Sequence, residues 1–589
     1  MPDTPAPAPI PAPAPAPAAA TSMSAPARTG QRLPAPIPAP APAPAAATSM
    51  SAPARTGQRL PAAAPAAAAP AAAAPGAGDA DVLVVGAGPA GLMLACELAL
   101  ARVRTVLLER DPAPPGFCRG FNLNARSLEL LERRALAERL LAEGPTAATT
   151  AFTAQARLDL AAMRTRHPYV LGIAQTRVEE ILTEHAHHLG VRILRGHRLD
   201  ALDLDDDGVH AHTDTPDGPA LLRAGWLAGC DGGRSTVRKL AAIAFPGTPA
   251  RRFTLLADVV LTHPRQIPFG VSTGPGGTVF AIPRPGHVRL ITADPHPPQD
   301  RHEPLTLPRF QQALDHALGH RVPIARAHWL TRFGDAARLA ERLRQGRVLL
   351  AGDAAHIHPP AGAIGVNAAI DDAMNLGWKL ALVARGQAPE TLLDTYHSER
   401  HAAGARLLRN TRAQALLAGD DEELAPVRDL LAELAQAKDT AGPLAEEITG
   451  IATRYPAPHG SGHPWEGAMV PDIPLQHDTL HDDTLQHGAL IPLLARTGTG
   501  ALLLEDTTAA EALRTAAAPW ADRVSAATVR PGALPGTPAV LVRPDGHAAW
   551  TAPPTAPPQA AAEQLRAALH LWFGHPAAAV PGPGAPDLP

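Results

Sequence analysis

Three glycines at fixed spacing carry the first recognisable chemistry in this chain: Gly86, Gly88 and Gly91, in the run ADVLVVGAGPAG. A short apolar strand precedes them, the helical run LMLACELALA follows, and a second strand, RTVLLER, comes next. In such a strand, turn, helix and strand unit each glycine has a mechanical task. Gly86 permits the tight turn, Gly88 lets the backbone approach a pyrophosphate, and Gly91 lets the helix pack closely on the sheet. The N–H groups and dipole at the start of the helix favour the negative charge. Glu109 ends the second strand 18 residues after Gly91, where it can bond a ribose hydroxyl. Pro89, Ala90 and Arg110 complete the contacts expected of a dinucleotide cradle.

That loop does not separate FAD from NAD, so the choice rests on two later segments, GCDGGRSTVRK at 229–239 and GRVLLAGDAAHIHPPAGAIGVNAAIDDAMNLGWKL at 346–380. Together with the glycine loop, and in this order, they resemble the three fingerprints of the group A flavoprotein monooxygenases, the family of para-hydroxybenzoate hydroxylase. The resemblance covers residues 79 to 400 and implies FAD. Physically, Asp353 ends an apolar strand and can accept hydrogen bonds from ribityl hydroxyls. The backbone from Gly362 through Gly365 and Val366 to Asn367 can run against the flavin ring. A helix begins there, and its dipole stabilises negative charge on reduced flavin by about 0.3 to 2 kcal/mol.

The resemblance further implies that Arg119, in the loop after Glu109, and Gln175, in the strand YVLGIAQ, contact FAD. It gives Asp231 and Arg234 a role toward both FAD and the pyridine nucleotide. It makes Pro359 and Asn367 the positions nearest the chemistry, with the Pro359 carbonyl orienting or activating an aromatic ring. Only one GxGxxG loop is present, so NADPH or NADH is expected to dock transiently, reduce the flavin and leave.

Within that family the chain is most similar to aromatic polyketide hydroxylases of angucycline, anthracycline and tetracycline pathways. The similar segments are GFNLNARSLELLE at 120–132, NLGWKLA at 375–381 and AVLVRPDGHAAW at 539–550. The last belongs to a thioredoxin-like domain in those enzymes; no CxxC is present in it here, which excludes disulfide exchange. The implied reaction is NAD(P)H-consuming hydroxylation of a polycyclic phenol by dioxygen through a C4a-hydroperoxyflavin, in secondary-metabolite biosynthesis. Baeyer-Villiger oxygenation, a non-catalytic flavin- or polyketide-binding protein and a plain NAD-dependent dehydrogenase are the alternatives. One departure bears on the substrate: many polyketide hydroxylases read GGQGxN where this chain has GAIGVN at 362–367, closer to the GAxGxN of para-hydroxybenzoate hydroxylase. No titratable residue stands out as the general base.

The elements that position these residues follow from pattern and composition. The chain has 589 residues, 66 of them Pro, and much of the Pro lies before residue 76. Residues 7–33 recur as 34–60, and Pro-Ala alternation cannot bury a core, so 1–78 is expected to be a disordered extension. The expected fold is α/β. A Rossmann-like FAD-binding domain spans 79–143, 168–248 and 343–455, and an antiparallel-sheet substrate domain spans 144–167 and 249–342. A thioredoxin-like domain spans 456–589. Residues 124–144 read as one helix, with Leu128, Leu131 and Ala135 on its buried face and Gly144 as its stop.

Composition narrows the partners. Formal charge is −4 with no basic run or basic-aromatic stripe, which argues against nucleic acid. No apolar stretch is long enough for a membrane span, and three scattered cysteines fit a reducing cytoplasm better than a disulfide framework. His356 and His358 lack the companions of a metal site, so no metal is expected. His185, His187 and His188 read as surface histidines of an amphipathic helix, Cys230 as a core residue, and Trp378 and Leu380 as helix packing.

Overall fold

Strand β1 (Ala80–Val85), helix α1 (Pro89–Leu100) and strand β2 (Thr105–Glu109) form the expected unit. The computed structural model describes residues 79–577 apart from 154–155, 207, 264, 285, 297–302, 360, 419–420, 459–460 and 477–487. The Pro/Ala extension 1–78, with its duplication, lies outside the described residues. The parallel strands run in the order Val348–Leu350, Gly218–Gly229, β1, β2, Arg192–Arg195. Leu83 and Leu107 are wholly buried, as a parallel sheet covered on both faces requires. The chain first adds strands on one side of β1 and later on the other. The carboxyl end of β1 is therefore a topological switch point, the place where open α/β sheets bind ligands, and the glycine loop sits on it.

The middle sheet is antiparallel, in the order Gly270–Gly274, Gly277–Arg284, His287–Ala293, Phe253–Leu261, Ile324–Gly334. It shares a small core with the helix Leu307–Leu318, through Leu255, Leu290, Phe310 and Leu314. The segment 144–167 pairs elsewhere: Thr146–Ala147 joins Val170–Gly172, and Leu158 and Met163 pack with Ala435 and Ile448. In the C-terminal part, Gly500–Glu505 pairs in parallel with Val524–Val529 and antiparallel with Ala539–Val542, which pairs with Ala548–Thr551. With the helices Ala510–Ala517 and Pro558–Phe573, this is the thioredoxin-like arrangement.

That domain shares its core with the FAD-binding domain. Leu502, Trp550 and Phe573 belong to the same core as Leu83 and Leu94. The seam is ionic as well as apolar. Helix α2 (Gly365–Ala384) is buried along nearly its whole length yet carries Asp371, Asp372 and Lys379. Arg400, on helix α3 (Leu392–Leu417), bonds Asp371 at 2.6 Å and Asp372 at 2.6 Å. Arg126 holds Asp371 through two bonds of 2.9 and 2.7 Å. Glu399 accepts from Lys379 at 2.8 Å and from Arg543 at 2.6 and 2.9 Å. Arg543 and His547 both bond Asp545, which also accepts from Trp378 Nε1 at 3.3 Å.

Two local expectations are corrected. The helix expected over 124–144 breaks into Ala125–Glu132 and Ala137–Leu141, with Ala135 in the left-handed region at φ 57°. Tertiary pairing overrides the helical period, because Arg133 and Arg134 turn inward. Arg134 forks onto Glu97 at 2.6 and 2.7 Å, and Arg133 donates to the Val470 carbonyl at 2.7 Å. Gln175 is not in a strand: the strand is Val170–Gly172, and Gln175 is the first residue of the helix Gln175–His188.

The buried charges set an acid limit on stability. Burial pushes the His547 imidazole down to about 4 from 6.5. Burial opposes ionisation of Asp371 and Glu399, but the cations beside them hold both at about 2, against 3.8 and 4.5. In each case the unfolded chain takes up protons that the folded one refuses, so stability falls as pH falls. Below pH 6.5 the His547 share is lost down to about pH 4, and the carboxylate share goes between about 4.5 and 2. Thermal unfolding followed from pH 7.5 downward is expected to show a falling Tm that begins near pH 6.5, with His547→Gln flattening the upper part of the slope.

Candidate flavin site

Gly86 has φ 106°, and a Cβ there would lie 2.4 Å from the Cys230 carbonyl oxygen. A Cβ on Gly91 would lie 1.9 Å from the Gly86 oxygen. Both glycines are thus required by contacts within the protein. Gly88 differs, since a Cβ there would meet nothing within 4 Å. It is also the N-cap of α1, with no side chain satisfying the helix start, and Pro89 and Ala90 follow in the first turn. Open space beside uncapped N–H groups fits a pyrophosphate.

Glu109 stands at the rim of this cradle. Its Oε2 accepts from Ala87 N at 2.7 Å and its Oε1 from Asp111 N at 2.9 Å. Each oxygen keeps a lone pair for a ribose hydroxyl. Arg110 is exposed next to it.

Asp353 lies just beyond Val348–Leu350, in the single turn Gly352–Ala354. Asp372 grips this turn from behind, accepting from Gly352 N at 2.9 Å and bonding His356 Nε2 at 2.8 Å. Burial opposes protonation of His356, but Asp372 outweighs it and raises the imidazole above its ordinary value. Asp353 itself is exposed, and its carboxylate accepts no hydrogen bond among the described residues. A carboxylate on a braced turn with its oxygens unused suits a polyol such as the ribityl chain.

Arg238 joins this turn to the middle fingerprint by donating to the Ala354 and Gly233 carbonyls at 2.7 and 3.0 Å. Asp231 accepts from Ser235 Oγ at 2.5 Å and from the Thr236 and Val237 N–H groups. Its oxygens shape the loop as the N-terminal brace of the helix Thr236–Leu240, while Arg234 points to solvent.

Gly362, at φ 68°, turns the chain into α2, whose first residues are Gly365, Val366 and Asn367. The Asn367 side chain is engaged with protein: Oδ1 accepts from Asn124 N at 2.8 Å and Nδ2 donates to the Asn122 carbonyl at 3.2 Å. Pro359 is buried, and its carbonyl lies 2.8 Å from His358 Nδ1. Burial lowers the His358 pKa, which favours a neutral ring at neutral pH.

Sequence reasoning did not find what fixes the loop carrying Arg119. Phe117 stacks on Trp329 of the middle sheet at 4.6 Å, and the Arg119 guanidinium sits 5.5 Å from the Phe117 ring centre. Arg289, forked onto Asp258 at 2.7 Å, also donates to the Cys118 carbonyl at 2.6 Å. Gln175 closes the loop from below, donating its N–H to the Gly120 carbonyl at 2.8 Å. Strand alternation gave no signal for Arg289 and Asp258, because charged side chains on a one-sided sheet normally face water.

A dinucleotide cradle at a switch point, faced by a braced turn with a free carboxylate and by the start of a buried helix, defines a flavoprotein. Residues 79–411 match the family model described as FAD binding domain, and 463–576 match the one described as aromatic-ring hydroxylase, C-terminal. The chain is 40% identical over 518 residues to 12-dehydrotetracycline 5-monooxygenase/anhydrotetracycline 6-monooxygenase of Streptomyces rimosus, across 84% of this chain and 99% of that one. It is 41% identical over 504 residues to rifampicin monooxygenase of Streptomyces venezuelae, across 84% and 98%. The crystal structure of an aromatic hydroxylase from angucycline biosynthesis superposes with a TM-score of 0.77 at 38% identity, covering 85% of this chain and all of that one. This chain belongs to the FAD-dependent aromatic-ring hydroxylases. It is a monooxygenase whose cofactor is FAD and whose reductant is a reduced nicotinamide.

The two kinds of glycine separate binding from folding. Gly88→Val is expected to leave the protein folded and to lower its flavin content at least tenfold, measured as flavin released on denaturation. Gly91→Val is expected to yield insoluble or unfolded protein. Equal flavin content in wild type and Gly88→Val contradicts the assignment of this cradle.

Proposed function

We propose that this enzyme hydroxylates a polycyclic aromatic polyketide, consuming NAD(P)H and dioxygen. The observation that carries the reading is near full-length similarity to enzymes named for oxygenating tetracycline precursors and rifampicin. Gly86 to Gly91 hold the pyrophosphate, Glu109 the ribose and Asp353 the ribityl chain, with Arg119 and the backbone from Gly362 to Asn367 closing on the ring. Bound FAD supplies oxygen activation once reduced.

The chain's own residues bind, orient and exclude water. The positive end of α2 favours negative charge on the ring system. Asn367 acts as a positioning residue, pinning Asn122 and Asn124 to the start of α2, so that the Arg119 loop and the ring-facing loop move as one. His358, kept neutral by burial, orients the Pro359 carbonyl, whose remaining lone pair would accept the phenolic hydrogen of a substrate bound beside it. Substrate and oxygen react away from solvent, which suppresses loss of the activated oxygen as peroxide.

Turnover of purified protein with NADPH, oxygen and a panel of tetracyclic phenols, anhydrotetracycline included, tests the reading. Expected are yellow protein, NADPH consumption that rises when an accepted phenol is added, and a product one oxygen atom heavier that keeps its carbocyclic rings. Oxidation of NADPH to peroxide with every phenol of the panel unchanged contradicts it.

A further inference from the structure

The antiparallel middle sheet turns one face to the helix Leu307–Leu318: Val279 and Ala281 pack into a shared core with Phe310 and Leu314. Side chains alternate along a strand, so Phe280, Ile282 and Arg284 point the opposite way. On that second face Val271 and Ile291 flank Phe280, and Arg289 stands beside Ile282. Val271 is 60% and Phe280 43% exposed. A flat apolar row therefore runs along the strand Gly277–Arg284 and ends in a cation.

The half-buried Arg284 guanidinium lies over the Phe121 ring, 3.0 Å from its centre. Phe121 precedes Asn122, whose carbonyl accepts from Asn367 in the first turn of α2, so the cation stands next to the segment tied to the start of that helix. Only Nε of this guanidinium is sealed from solvent, and it has no hydrogen-bond partner. The two terminal nitrogens stay open and donate to nothing among the described residues. The nearest carboxylate, Asp258, has both oxygens on Arg289 at 2.7 Å, with His287 a further 3.8 Å from one of them. Asp258 and Arg289 cancel, and Arg284 keeps a charge without a counter-ion. Burial, then repulsion from Arg289, pushes its pKa down to about 10, which leaves it charged at neutral pH. An apolar floor that ends in one accessible donor has the make-up of a small-molecule site.

We propose that Arg284 selects the substrate, its terminal nitrogens donating to an ionised phenol or enol oxygen of a polycycle that lies flat along Ile282, Phe280 and Val271. The proton of that oxygen leaves to solvent, and the guanidinium stabilises the anion that remains. This is a second oxygen, apart from the hydroxyl placed at Pro359. Arginine suits the task because its planar fork can stack on an aromatic ring, here Phe121, while its edge donates to an anion. The inference rests on the oxygenation reading for the class of ligand, and its test is a binding measurement that needs no turnover.

Alizarin, a dihydroxyanthraquinone whose absorption moves to longer wavelength on ionisation, is titrated into the oxidised holoenzyme at a pH where free alizarin is neutral, with unsubstituted anthraquinone as control. Wild type is expected to show a long-wavelength band that saturates at one ligand per chain. Arg284→Met is expected to abolish the band and weaken alizarin at least tenfold, with flavin content, Tm and anthraquinone binding at wild-type values. Arg284→Lys, which restores a positive charge, is expected to recover part of the band. With an accepted phenol in turnover, Arg284→Met is expected to raise KM at least tenfold and to change kcat less. Failure of wild type to bind alizarin, or binding of its neutral form alone, overturns the proposal, as does a band of equal strength in Arg284→Met. If the band behaves as expected and no phenol of the panel is oxygenated, Arg284 keeps its role and the oxygenation reading fails.

Discussion

Helix α2 is wrapped on every side by protein and still carries two carboxylates and an ammonium group, so the fold must supply partners for each of them. Removing one member of a buried pair leaves an uncompensated charge, a loss of about 3 to 5 kcal/mol. Arg126 and Arg400 answer Asp371 and Asp372, while Glu399 answers Lys379 and is itself shared with Arg543. Burial still pushes Lys379 down to about 8. These pairs tie four separate stretches of chain together: the loop helix at 125–132, α2, α3 and the C-terminal hairpin at 539–551. The thioredoxin-like domain thereby becomes part of the scaffold that aims α2.

The same charges reach the candidate flavin site. Asp372 has one oxygen on Arg400 and the other on the Gly352 N–H and His356. The Asp353 turn and the ion network are two ends of one arrangement. At the N-terminus of α2, Asn367 repeats this logic with neutral bonds to Asn122 and Asn124. A flavin bound there through backbone N–H groups and one free carboxylate would need those groups at fixed positions, and the network would supply that rigidity.

Much of this was legible in the sequence, and what was hidden has a common cause. The glycine loop was readable because backbone geometry dictates residue type there: Gly86 needs positive φ, and Gly91 has no room for a side chain, whereas Asp353 and the start of α2 stood out by their resemblance to family fingerprints. The antiparallel sheet within 249–342 was readable from its alternating segments FTLLADVVL, TVFAIP and HVRLITA. Arg133 and Arg134 misled, because an inward turn bought by Glu97 and the Val470 carbonyl depends on residues 37 and 337 positions away. The roles of Arg543, Asp545 and His547 were equally invisible, since 539–550 stood out only as a segment similar to the family's C-terminal domain. Long-range pairing of charges leaves no local periodicity, so sequence patterns locate the cofactor cradle and miss what braces it.

If charge pairing between α3 and the C-terminal hairpin holds the flavin site in shape from a distance, breaking a pair weakens FAD binding. The direct measurement is the FAD dissociation constant of Glu399→Gln, Arg543→Met and the double variant, compared at one pH with wild type. Weaker FAD binding is expected in each single variant, and a double variant less impaired than the sum of the two, because the Glu399–Arg543 pairing is lost only once, although Lys379 and Asp545 each still lose a partner. FAD affinity equal to wild type in both folded single variants would contradict it.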